Sequence, residues 1–202
     1  MDKKVKRELC EICGHHIPGY NTVYLSSEEK LTLVCLKCYN QKISDSTGFD
    51  FEHIEFEPIV IKDIDDLDHK FYFTGRHLGD RLAIEAFEIK DGHPGGYELS
   101  VIGDIDEEPF ELLGKLIGRI RRALNRKHIY WNETTQNWQI TDDDIVRGKI
   151  NSDLTSSDYK RLPLIVIDSK EISWSEFGQM LMTYEGFNFK LEIFDRSDEI
   201  PG

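Results

Sequence analysis

Residues 10–16 of the chain read CEICGHH, and residues 33–42 read LVCLKCYNQK. These two stretches hold all four cysteines of the sequence, arranged as two C-x2-C pairs with 21 residues between them. Each C-x2-C pair folds as a tight turn that directs two sulfurs at one ion, so this spacing is typical of a four-thiolate zinc site. The predicted zinc ligands are Cys10, Cys13, Cys35 and Cys38.

A zinc ion with four thiolate ligands keeps no open coordination position, so the predicted site is structural and not catalytic. Two alternatives stay open: the cysteines form two disulfides or remain free, or His15 or His16 replaces one thiolate. Disulfides are disfavoured in a reducing compartment. Two bridges that each close only a C-x2-C turn would also constrain very little of the chain.

The residues around the cysteines predict a small folded unit. Gly14 follows the first pair, where the turn needs a residue that tolerates a positive φ. Strands are expected at 22–25 and 32–34, with the turn near Ser27, and a short helix is expected over 35–43. This order of knuckle, hairpin and helix resembles a treble-clef zinc finger.

The stretches LVCLKCYNQK and HHIP together also resemble parts of an HNH endonuclease, which is a treble clef with added catalysis. The resemblance implies that His15 or His16 acts as the general base. Tyr39 stands where the family places a metal-binding histidine, and a phenol with a pKa of about 10 is a poor ligand for Mg²⁺ at neutral pH. The resemblance is therefore to a degenerate HNH site.

The composition indicates a soluble globular protein, since 39% of the 202 residues are apolar and 31% are charged. The basic start MDKKVKREL is not followed by an apolar segment, so we expect no secretory signal, no membrane partner and a cytoplasmic location. The net charge of −13 opposes nucleic-acid binding over most of the surface. The acidic charge is more typical of a solubility requirement, with a basic protein partner as the alternative.

The middle of the chain predicts a sheet and a long helix. Residues 59–103 alternate between apolar and polar side chains with turn signals between them, which predicts an antiparallel meander of three or four strands. The segment DEEPFELLGKLIGRIRRALNRKHI then predicts one amphipathic helix, capped at Asp106 and with Pro109 in its first turn. Its predicted apolar stripe consists of Phe110, Leu113, Ile117, Ile120 and Leu124, and it is widened by Leu112, Leu116 and Ala123.

Two charged stretches each have a functional and a plainer interpretation. The sequence DIDDLD at 63–68 is interpreted as a solvated hairpin turn, with a divalent-cation site as the alternative. The basic end of the long helix either complements the helix dipole or contacts nucleic acid or a partner. The predicted contact residues are Arg119, Arg122, Arg126 and Lys127.

The C-terminal part predicts a small strand-helix-strand module. A buried strand is expected at 164–167, a helix over 174–184 that starts with the capping box Ser173-x-x-Glu176, and a second strand at 187–194. The predicted fold class is therefore α+β. The predicted domains are a zinc-binding treble-clef-like domain (1–48), an α+β domain (49–130) and a small C-terminal α/β module (131–202).

The combination of the cysteine knuckle, the basic-ended helix and EISWSEFGQMLMTYEGFNFKLEI resembles a group of uncharacterised bacterial proteins, which implies no activity. We expect a zinc-stabilised binding or regulatory protein without catalysis that presents surfaces to a protein partner. The first alternative is nucleic-acid binding through the knuckle and the basic helix end. The second is a degenerate HNH-type nuclease.

Overall fold

The computed structural model describes residues 7–26, 30–90, 93–153 and 162–198. Within these ranges the chain is mixed α+β, as the sequence predicts, with antiparallel sheets and three α-helices. No helix in the described part is both long and apolar enough to cross a membrane.

The N-terminal part forms two β-hairpins and a helix. Its elements are β1 (Arg7–Leu9), β2 (His16–Pro18), β3 (Thr22–Ser26), β4 (Leu31–Cys35) and α1 (Leu36–Thr47). β1 pairs with β2, and β3 pairs with β4. The predicted turn residue Ser27 lies outside the described residues. Gly48 ends α1 in the left-handed conformation, with a φ of 76°.

The central sheet has four strands in chain order, which is a meander. They are β5 (Ile59–Lys62), β6 (Asp68–His77), β7 (Arg81–Lys90) and β8 (His93–Asp104). β7 is buried on both faces from Leu82 to Glu88, so both sides of the sheet are covered. Helix α2 (Pro109–Leu124) packs on one face and encloses the largest hydrophobic cluster with Phe71, Ile84 and Val101.

Helix α2 differs from its prediction in two ways. It begins after Glu108, not after Asp106, because Pro109 occupies the first helical position, and it ends at Leu124. The buried stripe consists of Leu112, Leu116, Ile120 and Leu124. Phe110 is exposed, and Leu113 and Ile117 lie at the margin of the core. The helix is therefore rotated so that the predicted widening residues Leu112 and Leu116, and not Phe110, reach the sheet.

The C-terminal part contains a hairpin, a three-stranded sheet and a helix. Its elements are β9 (Ile129–Asn132), β10 (Asn137–Ile140), β11 (Lys149–Ser152), β12 (Pro163–Ile167), β13 (Lys170–Ser173) and α3 (Trp174–Leu181). The predicted capping box is present between Ser173 and Glu176. The predicted strand-helix-strand order is wrong at its end, because residues 187–194 form no strand and their side chains are exposed. The partners of β12 are β11 and β13, which both precede α3.

Candidate metal centre

The first cysteine pair lies in the turn of the β1–β2 hairpin. The Cys10 N–H donates to the carbonyl of His15 at 3.0 Å, and the Gly14 N–H donates to the carbonyl of Cys10 at 2.9 Å. Gly14 has a φ of 70°, which is the positive value that the turn was predicted to need. These bonds hold both sulfurs of the pair on the same side of the loop.

The second pair lies where β4 passes into α1. Cys35 is the N-cap of the helix, and its Sγ accepts from the Cys38 N–H at 3.4 Å. The Cys35 N–H in turn donates to Cys10 Sγ at 3.3 Å. Helix N-termini carry free N–H groups and partial positive charge, which suit thiolate ligands. Main-chain donors therefore orient sulfurs of both pairs toward one point.

The four sulfurs form one cluster. They all lie within 4.8 Å of one another, and Cys13 Sγ lies 3.9 Å from Cys35 Sγ. A tetrahedral Zn²⁺ with bonds of about 2.3 Å separates its sulfurs by about 3.8 Å. All four cysteines are free thiols, so the two-disulfide alternative does not describe this structure. The four thiols are thus compatible with a metal site.

The cluster is buried on one side only. Cys10 and Cys35 are buried with Ile17 and Val34 in a small core, Cys38 is half-buried, and Cys13 is exposed. The histidines that follow the first pair are exposed and lie outside the cluster. The variant ligand set with His15 or His16 is therefore not the arrangement seen here.

The thiols differ in how readily they lose a proton. Burial alone would raise the pKa of Cys10, but main-chain N–H donors from Cys13, Cys35 and Ile12 outweigh it and lower the pKa to about 6. Burial, together with hydrogen bonds to the other thiols, raises the pKa values of Cys35 and Cys38. A divalent cation would supply the positive charge that these thiolates need.

The helix that carries the second pair is joined to the central sheet by Asn40, two residues after Cys38. The Asn40 Nδ2 donates to the carbonyl of Gly75 at 2.8 Å, and its Oδ1 accepts from the His77 N–H at 2.9 Å. Strand β5 pairs with β6 only as far as Phe71, so the rest of β6 has no strand on that side. The Asn40 side chain makes the donor and acceptor contacts that a neighbouring strand would make there. The cysteine cluster and the sheet are therefore mechanically connected.

The predicted basic contact residues do not form a free positive patch. Arg119 donates to the carbonyls of Ser100 and Ser197 at 2.9 and 2.6 Å. Arg126 pairs with Asp143 at 3.0 Å, and Lys127 pairs with Asp63 at 2.5 Å. Both of these basic residues lie beyond the end of α2.

The fourth predicted contact residue, Arg122, lies beside Arg119 in a groove. The groove has a volume of about 480 Å³ and is lined by Val101, Gly114, Lys115, Gly118, Arg119 and Arg122. Lys115 pairs with Glu107, which offsets part of the positive charge of this groove.

Asp63 corrects the interpretation of DIDDLD as a fully solvated turn, because it is buried. Its carboxylate accepts from the N–H groups of Asp65 and Leu67 at 2.8 and 3.0 Å, and from Lys127. Burial alone would raise the pKa of Asp63, but the Lys127 ammonium and the two N–H donors outweigh it and lower the pKa. Asp65 and Leu67 remain exposed, as a turn requires.

A buried polar network extends from Asp63 and was not predicted from the sequence. His69 lies between Asp63, at 3.2 Å, and Glu88, at 2.9 Å. The other oxygen of Glu88 accepts from the hydroxyl of Ser169 and from the Tyr97 N–H. The hydrogen bond to Glu88, with help from Asp63, raises the pKa of His69 against the effect of burial. The side chains of His69, Asp63 and Glu88 are all buried, which favours a structural role for them.

The same network fastens the C-terminal part to the central sheet. Asp168 and Ser169 form the turn between β12 and β13, both with positive φ. Asp168 accepts from the N–H groups of His128 and Ile129 at 2.6 and 2.9 Å, and Ser169 reaches Glu88. Glu88 and Ser169 lie 81 positions apart in the sequence. A contact over this separation produces no local sequence pattern, so it could not be predicted from periodicity.

Two family models match separate parts of the chain. A domain of unknown function (DUF7686) matches residues 52–125, and a second domain of unknown function (DUF7713) matches residues 128–198. No curated protein and no solved structure matches the chain significantly. The hydrogen bond between Glu88 and Ser169 joins the two matched segments, and the four cysteines precede both of them.

Proposed function

We propose that the four cysteines bind one structural Zn²⁺ and that residues 7–48 form a treble-clef-like zinc finger. The observation that carries the proposal is the sulfur spacing of 3.9 Å between Cys13 and Cys35, against about 3.8 Å expected for a tetrahedral ZnS4 site. The order of a knuckle hairpin, a second hairpin and a helix that starts at the second cysteine pair supports the treble-clef assignment.

The function that fits this architecture best is binding without catalysis, in the cytoplasm. Four thiolates fill the coordination sphere of zinc, so the ion orders structure and leaves no position for a reactant. Asn40 then transmits that order to the edge of β6. The net charge of −13 favours a basic protein surface as the partner.

Elemental analysis of the purified protein tests the metal proposal. We expect about one zinc per chain in the wild type and almost none in Cys35→Ser. The control is His15→Ala/His16→Ala, which changes two exposed residues beside the knuckle and keeps all four thiols. Substitution with Co²⁺ should give thiolate-to-cobalt absorption in the wild type and the control. A wild type that contains no metal, or a Cys35→Ser variant that retains it, would refute the proposal.

The nucleic-acid alternative rests on the basic end of α2. Ion pairs already engage Arg126 and Lys127, and two carbonyls accept from Arg119, so phosphate would have to compete with existing partners at these three residues. Phosphate contacts would make the affinity fall steeply with added salt. Absence of duplex and single-strand binding at low salt would reject this alternative.

The nuclease alternative requires a histidine base beside the knuckle. Plasmid incubated with Mg²⁺ or Mn²⁺ and either the wild type or His15→Ala/His16→Ala would test it. Equal cleavage by both proteins would exclude these histidines as the base.

A further inference from the structure

The segment 187–194 has the sequence of a strand and no partner in the described chain. Its apolar side chains are strongly exposed: Phe187 is 73% exposed, Phe189 90%, Leu191 73% and Ile193 73%. Runs of large apolar side chains that are open to water mark interaction sites on folded proteins. Among the described residues, no main-chain group of 188–194 is hydrogen-bonded to another part of the chain.

Both ends of this segment are fixed to the rest of the protein. Before it, the Tyr184 hydroxyl donates to Asp144 at 2.7 Å, and the Phe187 N–H donates to the carbonyl of Tyr184 at 2.9 Å. After it, Arg196 pairs with Glu85 on β7, and Arg119 donates to the carbonyl of Ser197. The segment is therefore held in place before a partner arrives, which lowers the entropic cost of binding.

The two faces of the segment differ. Lys190 Nζ lies 2.5 Å from Glu192 Oε1, so residues two apart point to the same side, as they do in a strand. The alternate positions, with Phe189 and Leu191, then form the apolar face. The main chain between the two faces is free to pair with another strand.

We propose that two copies of this chain pair antiparallel through residues 187–194, in the register that places Leu191 opposite Leu191. In this register Lys190 of each copy faces Glu192 of the other copy, so the symmetric ribbon gains two opposite-charge pairs. A register shifted by one residue on each strand would place the two lysines opposite each other. The positions of the two charges about Leu191 therefore favour a second copy as the partner.

The exposed apolar area sets an upper limit on what the dimer can bury. Four side chains of about 180 Å² each, about three-quarters exposed, give roughly 550 Å² per copy, of which the cross-strand contacts of the ribbon cover a part. Leu181 and Met182 are 46% and 62% exposed directly before the segment and extend this surface. A standard interface buries about 800 Å² per partner. We therefore expect a concentration-dependent dimer with a dissociation constant in the micromolar range. Dimerisation does not depend on the metal site, but it is consistent with the proposed binding function.

Charge reversal tests the register. Sedimentation equilibrium of the full chain, with its zinc content measured, should show dimerisation in the wild type. Lys190→Glu and Glu192→Lys should each weaken it roughly tenfold, because each creates two like-charge pairs across the ribbon. The double variant should restore the wild-type dissociation constant. A protein that is monomeric at high micromolar concentration, or single variants that equal the wild type, would overturn the proposal whether or not zinc is present.

Cysteine cross-linking gives a second measurement. Leu191→Cys should form a disulfide-linked dimer under mild oxidation, because the two residues face each other at the centre of the ribbon. Asn188→Cys is the matched control, since its counterpart would lie about 20 Å away at about 3.3 Å per residue. Equal cross-linking of both variants, or none in Leu191→Cys, would contradict the pairing. The proposal would also be overturned if the chain stayed monomeric and its segment 187–194 bound a different protein.

Discussion

Replacing Asn40 with alanine removes the side chain that ties the four-cysteine unit to the central sheet. Asn40 is 1% exposed, and its amide bonds to the carbonyl of Gly75 and the N–H of His77, both on buried positions of β6. Alanine leaves both main-chain groups without a partner. Each unpaired buried group costs about 1–3 kcal/mol.

The expected net loss in the free energy of unfolding is about 3.5 kcal/mol. Two unpaired groups contribute about 4 kcal/mol at the middle of their range, and the higher helix propensity of alanine offsets about 0.5 kcal/mol of it. Gln41→Ala is the matched control on the same helix. Its amide donates to Asp45 at 2.8 Å on the exposed surface, so the change should stay within about 0.5 kcal/mol.

Urea denaturation of the zinc-loaded protein measures this loss, and hydrogen exchange locates it. The His77 amide donates to Asn40 Oδ1 in the wild type, so its exchange should be faster in Asn40→Ala and unchanged in Gln41→Ala. If the two variants have equal stability and the His77 amide stays protected in both, then Asn40 is not the connection that we describe.

Three further predictions concern the metal and the buried network. Removal of the metal by a chelator should speed hydrogen exchange in residues 7–48 before it does so in the rest of the chain. In Cys35→Ser the chelator should leave the exchange rates unchanged. The raised pKa of His69 makes its stabilising contribution complete below pH 6.5 and lost as the pH rises through that raised pKa. The lowered pKa of Glu88 makes its contribution complete above pH 4.5 and lost as the pH falls through that lowered pKa. The urea midpoint should therefore be highest between these two pH values, and a His69→Gln variant should lose the decline at higher pH. Gly96→Ala should cost more than about 2 kcal/mol in urea denaturation, because its φ is 127° and a Cβ would collide with the carboxylate of Glu88. Gly79→Ala, with a φ of 82° and open space around it, should cost only about 1 kcal/mol.

The parts of the fold that depend on local spacing were predictable. The two C-x2-C pairs bring their sulfurs together because each pair lies in one turn, and the capping box forms because Ser173 and Glu176 lie within one helical turn. The centre of the stripe on α2 was misplaced, because the helix has apolar residues on neighbouring stripes. Packing against the sheet buries Leu112 and Leu116. Helical periodicity alone does not determine which of the neighbouring apolar stripes faces the sheet.

The remaining features depend on contacts between distant residues. The pairing of Glu88 with His69 and Ser169 joins positions 19 and 81 apart, and no short pattern signals it. The segment 187–194 shows the converse case. Its alternation predicts a strand that the structure does not show, because a strand also needs a neighbour, and the described chain provides none.

Asn40 has a consequence for how the protein fails. The amide of this single residue occupies donor and acceptor sites on the part of β6 that β5 does not cover, which would otherwise be open to any extended peptide. Loss of the ion would loosen the helix that carries Asn40 and so uncover that border of the sheet. Metal starvation would then lead to self-association of otherwise intact molecules, so solubility of the protein should track the zinc supply of its host.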